Sequence, residues 1–525
     1  MIMRMRRSYV AIALALAIPA LCAQEAPAPQ PAATAAKMPE AKASESTQPK
    51  EESSTTDHII HLGAQTIPYK ANASTTLLKN DKDEPVASMF SVAYTRSDIK
   101  DLSQRPIAFV YNGGPGASSA WLHMGAFGPR RVVTQNATPT GPGPYQLIDN
   151  ANCLLDKADL VFIDPVGTGF SRVVAKGDTK DFWGVDQDVK SFADFMAIYI
   201  SRNGRWNSPK LLIGESYGTF RSVALANYLQ SERGIYINGI ALISTGLDFG
   251  TIEPNLGDDR SYIFHVPSYA AAAWYYKTLK NRPSDLKPLL RDARQWASTD
   301  YAVALMKGDA LSDTERSQIA KRLSDFTGLA EDYILKAKLR VKLQQFMAEL
   351  ERQRGLTVGR YDSRYSAPTY DLLAEYAQSD PSFEAVDGAF TAAINSYLRQ
   401  ELKFSPELFY ETLNGDIPPK WDWKHKGTNP FTVSVDKDLV EALIINPRLQ
   451  VQTENGWFDM ATPFFATEFT MDHLQLPPQL RSRIDFKYYD SGHLIYLNDQ
   501  ELPKLKDNIA GFIDVTTKPQ GSAKE

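Results

Sequence analysis

A chain of 525 residues is long enough for one large domain with an insertion, or for two or three ordinary ones. Hydrophobic residues make up 43% and aromatics 11%, which excludes a wholly disordered chain and supports a packed core. The formal net charge of −5, with no basic cluster beyond a short N-terminal run, argues against nucleic-acid binding.

Arg4, Arg6 and Arg7 precede the apolar stretch YVAIALALAIPALCA, which is short for a bilayer span and gives way to polar sequence. That is the pattern of an export signal over residues 1–23, with cleavage near Ala23. Lipidation at Cys22 is the rival reading, and the bulky Leu21 stands against it. Once this segment is removed, no later stretch is apolar for long enough to span a membrane. Cys153 is then alone, so no intramolecular disulfide is expected. The chain reads as exported, periplasmic or secreted, and more like a bacterial envelope protein than a eukaryotic secreted one.

Residues 24–57 are Ala, Pro, Glu, Ser, Thr and Lys with few large apolar groups, and are expected to form a disordered linker. Order is expected from His58. "HIIHLGAQTIPY", "STTLL" and "ASMFSVAYT" read as strands, with "NDKDEP" as a turn. Three apolar runs follow, each ending in a loop rich in glycine or polar residues: "IAFVY" before NGGPG, "DLVFID" before PVGTGFS, and "KLLIG" before ESYG. "DVKSFADFMAIYISR" and "FRSVALANYLQSE" carry helical spacing, and "GIALISTG" reads as the next strand. Strands alternating with helices predict an α/β fold whose mainly parallel sheet is covered on both faces.

The spacing predicts a mostly helical insertion over 248–432, including "PSYAAAAWYYKTL" and "DYILKAKLRVKLQQFMAELERQRG", between the two parts of the α/β domain, 58–247 and 433–525. Strand patterns return in "RLQVQTENGWFD" and "IDFKYYDSGH", and "LPKLKDNIAGFID" closes the chain as an amphipathic helix.

GESYG fits G-x-S-x-G between a strand and a helix, a setting that puts Ser216 on a sharp exposed turn. The plain alternative is an ordinary strand-to-helix turn with Ser216 as a helix cap. A nucleophilic serine needs a base and an orienting acid. Of the seven histidines, four follow Ser216. His265 and His425 fall in the insertion and His473 in a helical pattern, whereas His493 follows a strand in "YYDSGHLIY" and is the best base candidate. Asp459 stands at a strand's C-terminal end, where catalytic groups gather in such sheets, and otherwise reads as a helix cap. Asp490 is its rival. In NGGPG, Gly113 and Gly114 can offer bare N–H groups to a developing oxyanion, or form a plain turn. No H-E-x-x-H motif, clustered Cys and His, P-loop or dinucleotide fingerprint is present, so neither a metal nor another cofactor is expected.

"NGGPGASS", "IDPVGTGFS", "GESYG", "NGWFD" and "SGH", in this order, resemble the serine carboxypeptidase family, from about His58 to Ile513. The resemblance implies an α/β-hydrolase fold with a helical cap, and peptide or protein C-termini as substrates. It implies Ser216 as nucleophile, His493 as base, Asp459 as orienting acid, and the N–H groups of Gly114 and Tyr217 as the oxyanion hole. It also implies that Asn112 and Glu215 bind the substrate's terminal carboxylate, with Glu215 sharing a proton with it and so favouring acid. Two positions depart from the family pattern: Val110 where a Trp is frequent, and Ala126 where a second carboxylate-binding glutamate is expected. The competing functions are an esterase or acyltransferase using the same triad, and an inactive peptide-binding protein.

Overall fold

The computed structural model describes residues 49–426 and 433–518. The expected export signal over 1–23, with Cys22, and residues 24–48 of the expected linker lie outside the described residues, as do 427–432 and 519–525.

Three long strands open the described chain: β1 (Ser53–Leu62), β2 (Gln65–Lys79) and β3 (Pro85–Arg96). They pair antiparallel, and residues 80–84 turn between β2 and β3 as expected. The linker boundary at 57 is corrected. Ser53–Asp57 already belong to β1 and pair residue for residue with Ser74–Lys70 of β2. Composition concealed this because β1 is a solvated sheet edge. Backbone hydrogen bonds hold it, and its outward side chains need not be apolar. Asn72 Nδ2 donates to the Ser53 and Thr55 hydroxyls across the pair at 2.9 and 2.8 Å.

Next come β4 (Ile107–Tyr111), the small pair β5 (Arg130–Val132) and β6 (Leu147–Asp149), β7 (Asp159–Ile163), β8 (Arg172–Val173), β9 (Lys210–Glu215) and β10 (Gly239–Ile243). A second small pair, β11 (Leu356–Val358) and β12 (Ser366–Pro368), precedes β13 (Gln450–Gly456) and β14 (Ile484–Tyr489). The main sheet runs β1-β2-β3-β7-β4-β9-β10-β13-β14, with β8 beside β3. From β7 to β14 every neighbouring pair is parallel.

The short central strands are buried along their whole length because helices cover both faces. In β4, Ile107, Phe109 and Tyr111 enter one apolar cluster, while Ala108 and Val110 enter the cluster on the opposite face. Helix α1 (Val185–Arg202) buries Val189, Phe192, Ala193, Met196 and Ile200, the stripe expected of a helix lying on a sheet. Helix α2 (Tyr217–Arg233) follows β9 directly and ends on Gly234 at φ 63°, a left-handed cap.

Between β10 and β13 the chain is mainly helical and builds its own apolar cluster around Tyr269, Trp296, Phe326 and Phe346. The pattern over "DYILKAKLRVKLQQFMAELERQRG" is not one helix. It splits into Glu331–Lys336 and Leu343–Glu349, with Lys338 and Leu339 at positive φ between them. The break lets Arg340 reach Asp259 with two hydrogen bonds of 2.6 and 2.7 Å. The closing helix spans Leu502–Thr516.

Candidate active site

Ser216 sits between the last residue of β9 and the first of α2, at φ 59° and ψ −129°. Such a turn is costly for a residue with a Cβ and lifts the side chain out of the strand. Ser216 is the one partly exposed residue in an otherwise buried run from 211 to 220. Its hydroxyl makes no capping bond to α2, so the helix-cap alternative does not describe it. Its N–H donates to Ile243 O of β10 at 2.9 Å, fixing the turn against the sheet.

His493 and Asp459 come from the loops after β14 and β13, and the fold brings them together. His493 Nδ1 lies 2.8 Å from Asp459 Oδ2. An ionised carboxylate only accepts, so Nδ1 is the donor in this contact. Nε2 is buried and, among the described residues, has no hydrogen-bond partner, Ser216 included. Asp459 is itself fixed by the N–H groups of Ala461 (2.8 Å) and Thr462 (3.0 Å) and by the Thr462 hydroxyl (2.7 Å). The Ser244 hydroxyl at the end of β10 donates to His493 O at 2.6 Å, tying the His493 loop to the strand beside β9.

The other candidates fall elsewhere. The Asp490 residue is exposed, and its carbonyl accepts from Arg364 and Asn498. His473 ends the helix Phe464–Asp472, stacked on Phe469. His265 bridges Ser261 O and Met460 O, and His425 lies between Asp186 and Asp438.

The NGGPG loop runs against the start of α2. A Cβ on Gly113 would collide with the backbone nitrogens of Tyr217 and Gly218, and Gly114 is exposed at φ 105°. The loop N–H groups and the first N–H groups of α2, which have no partner within their own helix, therefore share one corner beside Ser216. Asp164 ties this loop to the PVGTGFS loop, accepting from Ser119 N (2.8 Å) and Ser119 Oγ (2.7 Å). This contact gives the two motifs a physical reason to occur together.

Glu215 is 3% exposed. Burial pushes its carboxyl up to about 7, although His493, Tyr496 and Asn112 each hold it down. Asn112 Nδ2 donates to Glu215 Oε1 at 2.8 Å, while Asn112 Oδ1 accepts from Leu122 N and Asn112 O from Arg221. Glu215 Oε2 and the Tyr496 hydroxyl lie against each other, yet neither has a well-formed hydrogen bond. Among the described residues, a buried carboxyl oxygen is thus left without a partner beside the Ser216 turn. Ala126 is fully buried in the Leu122–Phe127 turn.

Local reading of the sequence missed several supports. Arg221, fully buried, pairs with Asp188 at 2.6 Å and carries Asn112 through its carbonyl. The segment Gly359–Tyr365, between β11 and β12, braces the loops that carry Asp459 and His493. Ser363 N donates to Phe458 O (3.0 Å), Gly492 N to Asp362 Oδ2 (3.2 Å), and Arg364 Nη1 to Asp490 O (2.9 Å). Asp362 and Arg364 form a buried pair at 2.5 Å. The local arrangement Y-D-S-R-Y, inside a helical pattern, is the only trace this brace leaves in the sequence. Asp362→Ala strands the Arg364 charge and is expected to cost about 3–5 kcal/mol of stability, read as a lower urea midpoint. A loss below about 1 kcal/mol means the pair does not brace the loops.

Residues 77–247 match the serine carboxypeptidase family. This range holds Asn112, Gly114, Glu215, Ser216 and Tyr217, but not Asp459 or His493. The chain is 32% identical over 161 residues to the pheromone-processing carboxypeptidase KEX1 of Saccharomyces cerevisiae, covering 29% of this chain and 21% of the relative. It is 26% identical over 259 residues to serine carboxypeptidase-like 50 of Arabidopsis thaliana, covering 48% and 52%. The matched region thus spans about a fifth of the length of the first of these relatives and half of the second. The crystal structure of Kex1(delta)p, a prohormone-processing carboxypeptidase from Saccharomyces cerevisiae, shares the fold over 86% of this chain and 91% of that one, with a TM-score of 0.51 at 17% identity. The family match thus covers residues 77–247, a stretch that includes Ser216 and the NGGPG loop, and the fold over most of the chain is that of an α/β-hydrolase.

Proposed function

We propose that this protein is a serine-type carboxypeptidase that hydrolyses C-terminal peptide bonds through an acyl-enzyme. Ser216 Oγ attacks the scissile carbonyl while His493 Nε2 takes its proton, and Asp459 holds the imidazole in the required tautomer. The oxyanion lies on the N–H groups of Gly114 and Tyr217. The imidazolium then protonates the leaving amine, and water, activated by the same base, releases the acyl group. Export, on this reading, removes the segment before about residue 24.

The observation that carries specificity for a free C-terminus is Glu215. Buried next to Ser216, bonded to Asn112 and titrating at about 7, it is protonated at mildly acid pH and can donate to a substrate carboxylate. Two touching carboxylates share one proton more cheaply than they carry two charges. The sign follows. As pH rises through about 7, Glu215 ionises and repels the substrate carboxylate, so KM for free-acid peptides rises. The window reaches neutrality, beyond the usual carboxylate range near 4.3. Glu215→Gln keeps a donor and cannot titrate, so its KM profile is expected to be flat across this range. Blocked dipeptides and their C-terminal amides, compared from pH 5 to 8, test the assignment. Superimposable wild-type and Glu215→Gln profiles would favour an esterase or acyltransferase on the same triad.

A further inference from the structure

Arginines that are buried elsewhere in this fold are paired. Arg105 and Arg205 share Asp159, Arg221 holds Asp188, and Arg364 holds Asp362. Arg360 differs. It is hemmed in by protein yet partly open, and among the described residues no carboxylate lies within ion-pair distance of its guanidinium.

Its place is fixed from four directions. Arg360 O accepts from Met460 N at 3.1 Å, immediately after Asp459, and Tyr361 O accepts from His493 N at 2.6 Å. On the other side, Arg360 N donates to Asp380 Oδ1 (3.0 Å) and Tyr361 N to Ser382 Oγ (3.1 Å). Asp362, Ser363, Arg364 and Tyr365 are buried, so the segment opens only at the two residues beside the base. The Tyr361 ring centroid is 5.0 Å from that of His493, and Arg360 Cζ is 5.1 Å from the Tyr361 centroid. The guanidinium is therefore one ring removed from the base. Burial disfavours its charge, but Tyr361, Glu253, Asp380 and Asp459 more than offset that. These groups keep the charge without neutralising it by contact.

We propose that Arg360 binds a carboxylate of the substrate, a specificity that rests on the carboxypeptidase reading above. A planar guanidinium has paired donors that match a carboxylate in geometry and charge, and holding such a cation unpaired beside a reaction centre is costly unless a ligand completes it. Unlike Glu215, Arg360 keeps its charge across the working pH range. The carboxylate is either the terminal one or that of an acidic C-terminal side chain, and substrates distinguish the two.

The test compares wild type, Arg360→Gln and Arg360→Lys on four blocked dipeptides, ending in Glu or Gln, each as the free acid and the amide. Arg360→Gln is expected to lower a preference about tenfold through KM, with Arg360→Lys between. Collapse of the acid-over-amide ratio identifies the terminal carboxylate, and collapse of the Glu-over-Gln ratio the side chain. An equal fall in kcat on all four substrates makes Arg360 a support of Asp459 and overturns the proposal, as does no change in either ratio. Should the wild type cleave none of the four, the carboxypeptidase reading falls. Calorimetry of the Glu-ending free acid with Ser216→Ala, with and without Arg360→Gln, then decides on Arg360 alone. About tenfold weaker binding upholds it, and equal binding or none overturns it.

Discussion

Ser216→Ala is expected to reduce turnover of a blocked dipeptide by about a millionfold while leaving the fold intact. The loss is that large because nucleophile and base act as a unit, and what remains comes from the oxyanion hole and substrate binding. At about 1.4 kcal/mol per tenfold, it amounts to about 8 kcal/mol of transition-state stabilisation. Stability should barely move, for two reasons visible at the turn. The Ser216 hydroxyl caps nothing, so its removal orphans no N–H of α2. The strained backbone at φ 59° has a Cβ before and after the change, so no new clash arises. Unchanged thermal unfolding together with lost fluorophosphonate labelling is the expected pair of results. Labelling that persists in the variant means a different serine is the nucleophile.

Replacing the base and replacing its acid should cost different amounts. His493→Ala is expected to match the loss of the nucleophile, about 10⁶ in kcat, whereas Asp459→Ala should cost about 10⁴. The surroundings of the imidazole give the difference a local cause. Thr462 Oγ1 lies 3.2 Å from His493 Nδ1, beside the carboxylate, and can accept from it when Asp459 is gone. The tautomer is then less firmly held but not lost. A double variant, Asp459→Ala with Thr462→Val, should fall further toward the His493→Ala level. If His473→Ala is inactive and His493→Ala is not, the base has been misassigned.

Local sequence determined the parts that depend on local chemistry. An apolar run of five or six residues closed by glycine is enough to mark β4 or β9, and G-x-S-x-G between strand and helix is enough to mark the turn at Ser216. Strand and helix periodicity set His493 apart from His473, and the fold brings His493 and Asp459 into contact because loops at the strand ends converge on one edge of the sheet. The family resemblance supplied roles for Asn112 and Glu215 that spacing alone did not.

What the tertiary structure decided lies in contacts between distant residues, which leave no periodic signal. The first residues of β1 look like linker until β2 supplies their hydrogen-bond partners. The helical pattern after Asp332 is overridden where Arg340 turns to Asp259. Glu215 titrates at about 7, rather than as an ordinary glutamate, because β9 is buried between two helical layers, and composition does not report burial. The brace from Gly359 to Tyr365 reaches the Asp459 and His493 loops from about 100 and 130 residues away along the chain. Chain separation of that size carries a closure cost but no local preference, so only the folded packing reveals which residues hold the His493 and Asp459 loops in place and that, among the described residues, no carboxylate pairs with Arg360 beside them.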